Sequence, residues 1–108
     1  MTDTWFKSTV DRWRQAHILP VFAAGNQMPG ESLPGDSSIV IPASYPESFA
    51  VGAVDIMGNL ASFSKRGPSL FDTSLTKPEI SAPGVNVRSS IKDTYAYMSG
   101  TSMAAPHV

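Results

Sequence analysis

Seven consecutive residues, Ile18-Leu19-Pro20-Val21-Phe22-Ala23-Ala24, carry scarcely a polar atom and are stopped at once by Gly25-Asn26. A run so short and so apolar reads as a strand covered on both faces, the pattern of a parallel sheet. Pro20 would remove a ladder donor, so it belongs at the strand's start. Ahead of the run, Asp3 to His17 sets Phe6, Val10, Trp13 and Ala16 at helical spacing. That segment predicts an amphipathic helix, capped by Thr2, Asp3 or Thr4 and supported by a Lys7–Asp11 pair one turn apart. A helix feeding a buried strand is half of a βαβ unit, which places the chain in the α/β class.

At 108 residues the chain can close one core and not two. Apolar residues at 42% and charged residues at 16% put it among globular chains. The net charge is −1 and Lys65-Arg66 is the sole adjacent basic pair, so nothing is dense enough to attract a phosphate backbone. The expectation is no nucleic-acid partner. It is also no membrane partner, because Ile18–Ala24 falls far short of the roughly 20 apolar residues a crossing helix needs. Without cysteine there is neither a disulfide scaffold nor a thiolate nucleophile.

Gln27 to Ser38 lacks periodicity and is rich in Pro, Gly and Ser, the signature of a surface loop. Phe49–Val54 predicts a second apolar strand, joined through turn residues Asp55–Asn59 to Leu60–Ser64 as a hairpin. Ile80–Ala82, Val85–Ile91 and Tyr95–Met98 read as further short strands. The chain then runs Gly100-Thr101-Ser102-Met103-Ala104-Ala105-Pro106-His107-Val108. Pro106 is tolerable only in a first helical turn, so a helix begins near Ser102.

A serine at a strand-to-helix junction, between Gly100 and Ala104, has room for a substrate to approach and a helix N-terminus that favours negative charge. The same placement suits an ordinary N-cap, and on the single residue both readings stand. Gly25-Asn26 likewise can be a plain turn.

The longer strings carry more. Gly100 to His107 resembles the nucleophile motif of the subtilisin-like serine proteases, and Val21-Phe22-Ala23-Ala24-Gly25-Asn26 is similar to that family's strand ending in its oxyanion asparagine. Tyr45-Pro46, Phe49–Val54, Phe63-Ser64, Gly67-Pro68, Lys77-Pro78-Glu79 and Ala82-Pro83-Gly84 follow as landmarks in family order. The resemblance implies a subtilisin-like three-layer α/β fold with a mostly parallel sheet. Residues 1–108 would then be the C-terminal-side part of a single peptidase domain.

It implies further that Ser102 is the nucleophile, with Asn26 donating to the oxyanion alongside the Ser102 backbone N–H. Ala23, Ala24 and Gly25 would wall the substrate cleft, with Val40 and Ala43 near its floor and Gly100 and Thr101 beside the nucleophile. An apolar Val40 suggests a preference for apolar side chains; a plain core position suits it equally. Ile41-Pro42 falls where the family uses a cis bond. The implied partner is a polypeptide substrate, and the implied location is extracellular or at the cell surface. No cofactor is needed for the chemical step. Structural calcium is implied for the complete enzyme, although no full set of carboxylate ligands stands out.

A serine nucleophile needs a base and a group to orient it, and the family's order is Asp, then His, then Ser. Only His17 and His107 are present. His107 lies about 140° around the helix from Ser102, which points it away as a packing residue; His17 ends the first helix. The segments bearing Asp and His are therefore expected upstream, and the chain alone is expected to be inactive and to self-associate through exposed strand edges. Two other readings use the same residues: a different Ser-dependent acyl hydrolase, since Gly100–Ala104 is one residue from the Gly-x-Ser-x-Gly elbow, and a non-catalytic protease-like module.

Overall fold

The computed structural model describes residues 3–31 and 39–108. Its centre is a parallel three-stranded sheet ordered β1-β2-β5, from β1 (Val21–Ala23), β2 (Phe49–Val54) and β5 (Ile80–Pro83). Val21 pairs with Phe49 and Ala23 with Val51, while Val51 pairs with Ile80 and Val54 with Pro83. β2 is the covered strand. Its alternating side chains feed two cores: Ala50 joins Ala24, Ile39 and Ala43, while Val51 and Ala53 join Ala61, Ala82 and Ala104. β1 is only half-buried and edges the described sheet, so the double coverage expected of it belongs to β2 instead.

Helix α1 (Lys7–Gln15) lies against β1 through an aromatic cluster in which Phe6, Trp13 and Phe22 have ring centroids 5.5 to 6.5 Å apart. Val10 is fully buried and Ala16 exposed, so the apolar stripe stops at Trp13. The helix starts four residues later than expected, and no local side chain caps it. The Tyr45 hydroxyl does that work, accepting the Phe6 N–H at 3.3 Å and donating to the Asp3 carbonyl at 2.9 Å. Asp3 instead accepts the Trp5 N–H; Thr2 lies outside the described residues, as do 32–38 of the expected loop. At the other end His17 adopts φ 61°, letting Ile18 N–H reach back to the Trp13 carbonyl at 2.8 Å, a closure usually given to glycine.

The turn at Asp55–Asn59 forms as expected, with Asp55 Oδ1 accepting from both Met57 and Asn59 N–H at 2.9 Å. The hairpin beyond it does not. Both edges of β2 are taken by parallel neighbours, so Leu60 makes a single bridge to Val54 and the chain turns away. Two small antiparallel pairs complete the described elements: β3 (Gly67–Pro68) with β4 (Thr76–Lys77), and β6 (Val87–Ile91) with β7 (Thr94–Met98). Helix α2 (Thr101–Ala104) and a 3₁₀ turn (Ala105–His107) end the chain over the sheet.

One ionic contact is buried inside this frame. The Lys77 ammonium donates to the Ser48 carbonyl at 2.7 Å and to Glu79 Oε1 at 2.6 Å, and Glu79 Oε2 accepts the Ala50 N–H at 2.6 Å. The pair therefore ties the start of β2 to the residues leading into β5.

Candidate active site

The site is assembled where the end of β1 meets the entry to α2. Past Ala24 the backbone turns at Gly25, whose φ of +110° favours glycine. A Cβ there would also stand 2.8 Å from Val40 Cγ1. The turn is fastened to the segment after Ala61. Gln27 N–H donates to the Phe63 carbonyl at 2.7 Å, Lys65 N–H donates to the Gly25 carbonyl at 3.0 Å, and Asn26 bridges Ser64. Lys65 also pairs with Glu31 at 3.3 Å. Glu31 is held below the usual carboxylate range, chiefly by the Met28 N–H that it accepts.

The other half arrives from β5 and β7. Gly100 N–H donates to the Gly84 carbonyl at 2.8 Å. A Cβ on Gly84 would sit 2.7 Å from both Ala53 Cβ and the Gly100 carbonyl oxygen, so this approach requires glycine. Gly100 is buried, and a Cβ on it would come within 3.1 Å of Asn26 Nδ2. Ala104 is fully buried in the larger core. Gly84 and Ala104 thus answer interior packing, whereas the small size of Gly100 keeps the space beside the Asn26 amide clear.

Thr101 joins the halves. Its N–H and its hydroxyl both donate to Asn26 Oδ1, each at 2.8 Å, and the hydroxyl accepts the Gly25 N–H at 3.1 Å. With two donors on its oxygen, the Asn26 carboxamide has one orientation, and its NH₂ makes no hydrogen bond to any described residue. Ser102 follows directly, exposed, its hydroxyl bonded to no described residue. As the second residue of α2 its N–H falls in the first turn, where backbone donors lack intrahelical acceptors. Ser102 and Asn26 are brought together, though not from neighbouring strands: β7 belongs to a separate ribbon, and α2 carries the serine over the ends of β1, β2 and β5.

Of the remaining expected site residues, Ala24 and Ala43 are fully buried, so their side chains belong to the core and only backbone can face a ligand. Ala23 is half-buried, and Val40 is 37% exposed against Gly25. The Ile41–Pro42 bond is cis, as is Lys77–Pro78. His107 is exposed, where packing was expected, with Nδ1 2.9 Å from the Met103 carbonyl oxygen. It shares with Ser102 a depression of about 310 Å³. His17 lies at the far end of α1. Among the described residues no three His, Asp or Glu gather as a metal site. The orienting role of the Thr101 hydroxyl was not legible as such: its one signal was adjacency to Ser102.

A family model described as the subtilase family matches residues 2–108. The chain belongs to the subtilase family. Bacillopeptidase F of Bacillus subtilis (strain 168) is 54% identical over 111 residues, covering 98% of this chain and 7% of that protein. Subtilisin BL of Lederbergia lenta is 47% identical over 92 residues, covering 84% of this chain and 29% of its own length. Among solved structures, the prenylagaramide maturation protease PagA superposes with a TM-score of 0.80 at 30% identity, over 99% of this chain and 35% of that one. This subtilase segment therefore spans less than a third of those two curated relatives, and its fold is the α/β, parallel-sheet fold of its family. The family matched is the subtilase family and not that of the Gly-x-Ser-x-Gly hydrolases.

Proposed function

We propose that the complete protein is a serine endopeptidase and that this segment supplies its nucleophile, Ser102, and its oxyanion donors, the Asn26 amide and the Ser102 backbone N–H. The observation that carries this reading is the double donation from Thr101 to Asn26 Oδ1. It commits the carbonyl end of the side chain and leaves the amide end as a preset donor, aimed before any substrate arrives.

The step this serves is acyl transfer. Ser102 Oγ bonds to the scissile carbonyl carbon as its proton passes to a base; the carbonyl π electrons move onto oxygen, where the two donors stabilise them. On collapse the C–N bond breaks, the amine leaves with that proton, and water later frees the acyl group. Neither His17 nor His107 stands within hydrogen-bond reach of the Ser102 hydroxyl. We place the base and its orienting acid in the part of the parent ahead of this segment, following the family's order, which makes these 108 residues inactive alone. The upstream part of the domain is then the partner for the half-covered β1 edge, and self-association is the alternative for the isolated segment. Substrate backbone would run along Ala23–Gly25 and beside Gly100 and Thr101, with Val40 facing an apolar side chain. Secretion or surface display fits this reading. Among the described residues no helix is long and apolar enough to cross a membrane.

A serine-directed phosphonate tests it. The complete protein should be labelled stoichiometrically at Ser102 and lose peptide-ester hydrolysis in Ser102→Ala, while the 108-residue segment stays unlabelled. Full activity in Ser102→Ala would overturn the assignment, and no activity in the intact parent would mark a binding-only module.

A further inference from the structure

We propose that Ser64 is a positioning residue for the oxyanion donor: its hydroxyl hangs the turn that carries Asn26 from the central strand β2. The inference rests on the peptidase reading above. It adds an anchor on the backbone side of Asn26 to the one that Thr101 makes to its side chain.

β1 keeps its register with β2 only as far as Ala23 opposite Val51. The last rung is the Ala24 N–H to the Val51 carbonyl, at 2.9 Å. Backbone groups two residues apart on a strand face the same neighbour, so the N–H and C=O of Ala53 point to the side that β1 leaves when it turns at Gly25. Both are taken by the segment that follows the Asp55 turn. Ala61 N–H donates to the Ala53 carbonyl at 2.9 Å, and Ala53 N–H donates to Ser64 Oγ at 2.9 Å. Residues 61–64 thus stand in for the next rung of β1, with a side-chain oxygen where a strand would offer a carbonyl.

The place is shaped for that hydroxyl. Ser64 is 2% exposed, and a Cβ on Gly52 would come within 3.1 Å of Ser64 Oγ, so glycine at 52 leaves the room it occupies. A buried amide such as that of Ala53 needs an acceptor whatever the function. What ties this bond to rate is what else is attached to the same segment. On its far side the Phe63 carbonyl accepts the Gln27 N–H at 2.7 Å, Lys65 N–H donates to the Gly25 carbonyl at 3.0 Å, and Asn26 bridges Ser64 itself. Gly25, Asn26 and Gln27 are therefore all paired with Phe63–Lys65, and Ser64 Oγ is the bond by which the middle of that segment reaches β2.

Thr101 sets the direction of the Asn26 carboxamide, but the point from which it is aimed is set by the backbone beneath it. A shift of about 1 Å in a positioned group can cost up to about 10² in rate. Without Ser64 Oγ the Ala53 N–H has lost its acceptor, and the segment moves or admits water to satisfy it. Either change carries the oxyanion turn with it.

The test is a double-variant cycle in the complete protease on one peptide ester. Ser64→Ala should lower kcat about three- to tenfold, in line with one net hydrogen bond, with KM within about twofold of wild type. In an Asn26→Leu background, where the donor being positioned is gone, the same change should lower kcat by less than about 1.5-fold. Ser64→Cys keeps the shape with a weaker acceptor and should fall between wild type and Ser64→Ala. Judged on the alanine variant, or on the cysteine variant should alanine prevent folding, a kcat equal to wild type would overturn the role. So would the same fold-loss in both backgrounds, since a residue needed only for packing lowers activity whether or not Asn26 is present. Those outcomes leave the peptidase reading intact, whereas no cleavage by wild type would overturn that reading and this role with it.

Discussion

The Thr101 hydroxyl accepts the Gly25 N–H at 3.1 Å and donates its own O–H to Asn26 Oδ1 at 2.8 Å, so one oxygen sets both the turn after β1 and the aim of the side chain beyond it. Thr101→Val keeps the shape and deletes this link. The complete protease should lose about five- to thirtyfold in kcat, the equivalent of 1–2 kcal/mol, with KM little changed. Thr101→Ser should restore most of it. Steady-state kinetics on one peptide ester would decide, and an unchanged kcat in the valine variant would refute the orienting role.

Asn26→Leu removes the donor itself. The expected loss is about 10²–10³ in kcat, the magnitude known for removal of the asparagine donor in subtilisin, a member of this same family, and carried over from that enzyme. Phosphonate labelling of Ser102 should persist at a reduced rate. A kcat within a factor of about two of wild type would show that the carboxamide plays no part.

Gly25 combines φ +110° with a Cβ position only 2.8 Å from Val40 Cγ1. Gly25→Ala should cost about 1–3 kcal/mol of stability from backbone strain, with the steric contact added. The double variant with Val40→Ala should recover the contact and not the strain. Urea midpoints of the three proteins separate the two effects, and complete recovery in the double variant would show that φ costs nothing.

Lys77 has a side chain with no exposure, paired with a Glu79 that is 29% exposed. Removing one partner of a buried pair strands the other, and Lys77→Met should cost about 3 kcal/mol. Lys77→Met with Glu79→Gln should be less damaged than Lys77→Met alone, since the stranded charge is gone. Equal damage in both would mean that the hydrogen bonds to Ser48 and Ala50 carry the stability, with little left for the charges.

Asp55 titrates below the ordinary carboxylate range, first because it accepts the Asn59 N–H and then those of Met57 and Gly58. Its folded pKa lies under the unfolded value of about 3.9, so its contribution is whole above that pH and disappears as pH falls through the folded pKa. The stability gap between wild type and Asp55→Asn should be flat from neutral to about pH 5 and close below about pH 4. A gap that persists or widens down to about pH 2, measured by urea midpoints, would contradict the assignment.

Much of this architecture could be read from the chain. The apolar run before Gly25, the strand at Phe49–Val54, the turn at Asp55 and the start of α2 are local patterns, and local patterns are what a sequence displays. What failed depended on partners far along the chain. The N-terminus of α1 is capped by Tyr45, 39 residues from Phe6, so no nearby Ser, Thr or Asp marks it. Leu60–Ser64 has a strand's composition, yet β2 has no free edge to offer it. Lys77 was marked only as part of a family landmark, and nothing local shows that Ser48, 29 residues away, and Glu79 bury its charge. At the site, Ser102 and Asn26 were candidates by family likeness, whereas the bond network that orients Asn26 was not legible, because hydrogen-bond direction leaves no trace in residue type.

The contact between Thr101 and Asn26 spans 75 positions. A growing polypeptide that has made the asparagine but not yet folded Gly100–Ala104 onto the sheet holds an amide pointing nowhere in particular. On the proposed peptidase reading, readiness for hydrolysis is thereby tied to closure of the whole segment, so a half-folded molecule would pose little danger to its neighbours, and catalytic rate would be a sensitive gauge of how completely the chain has folded.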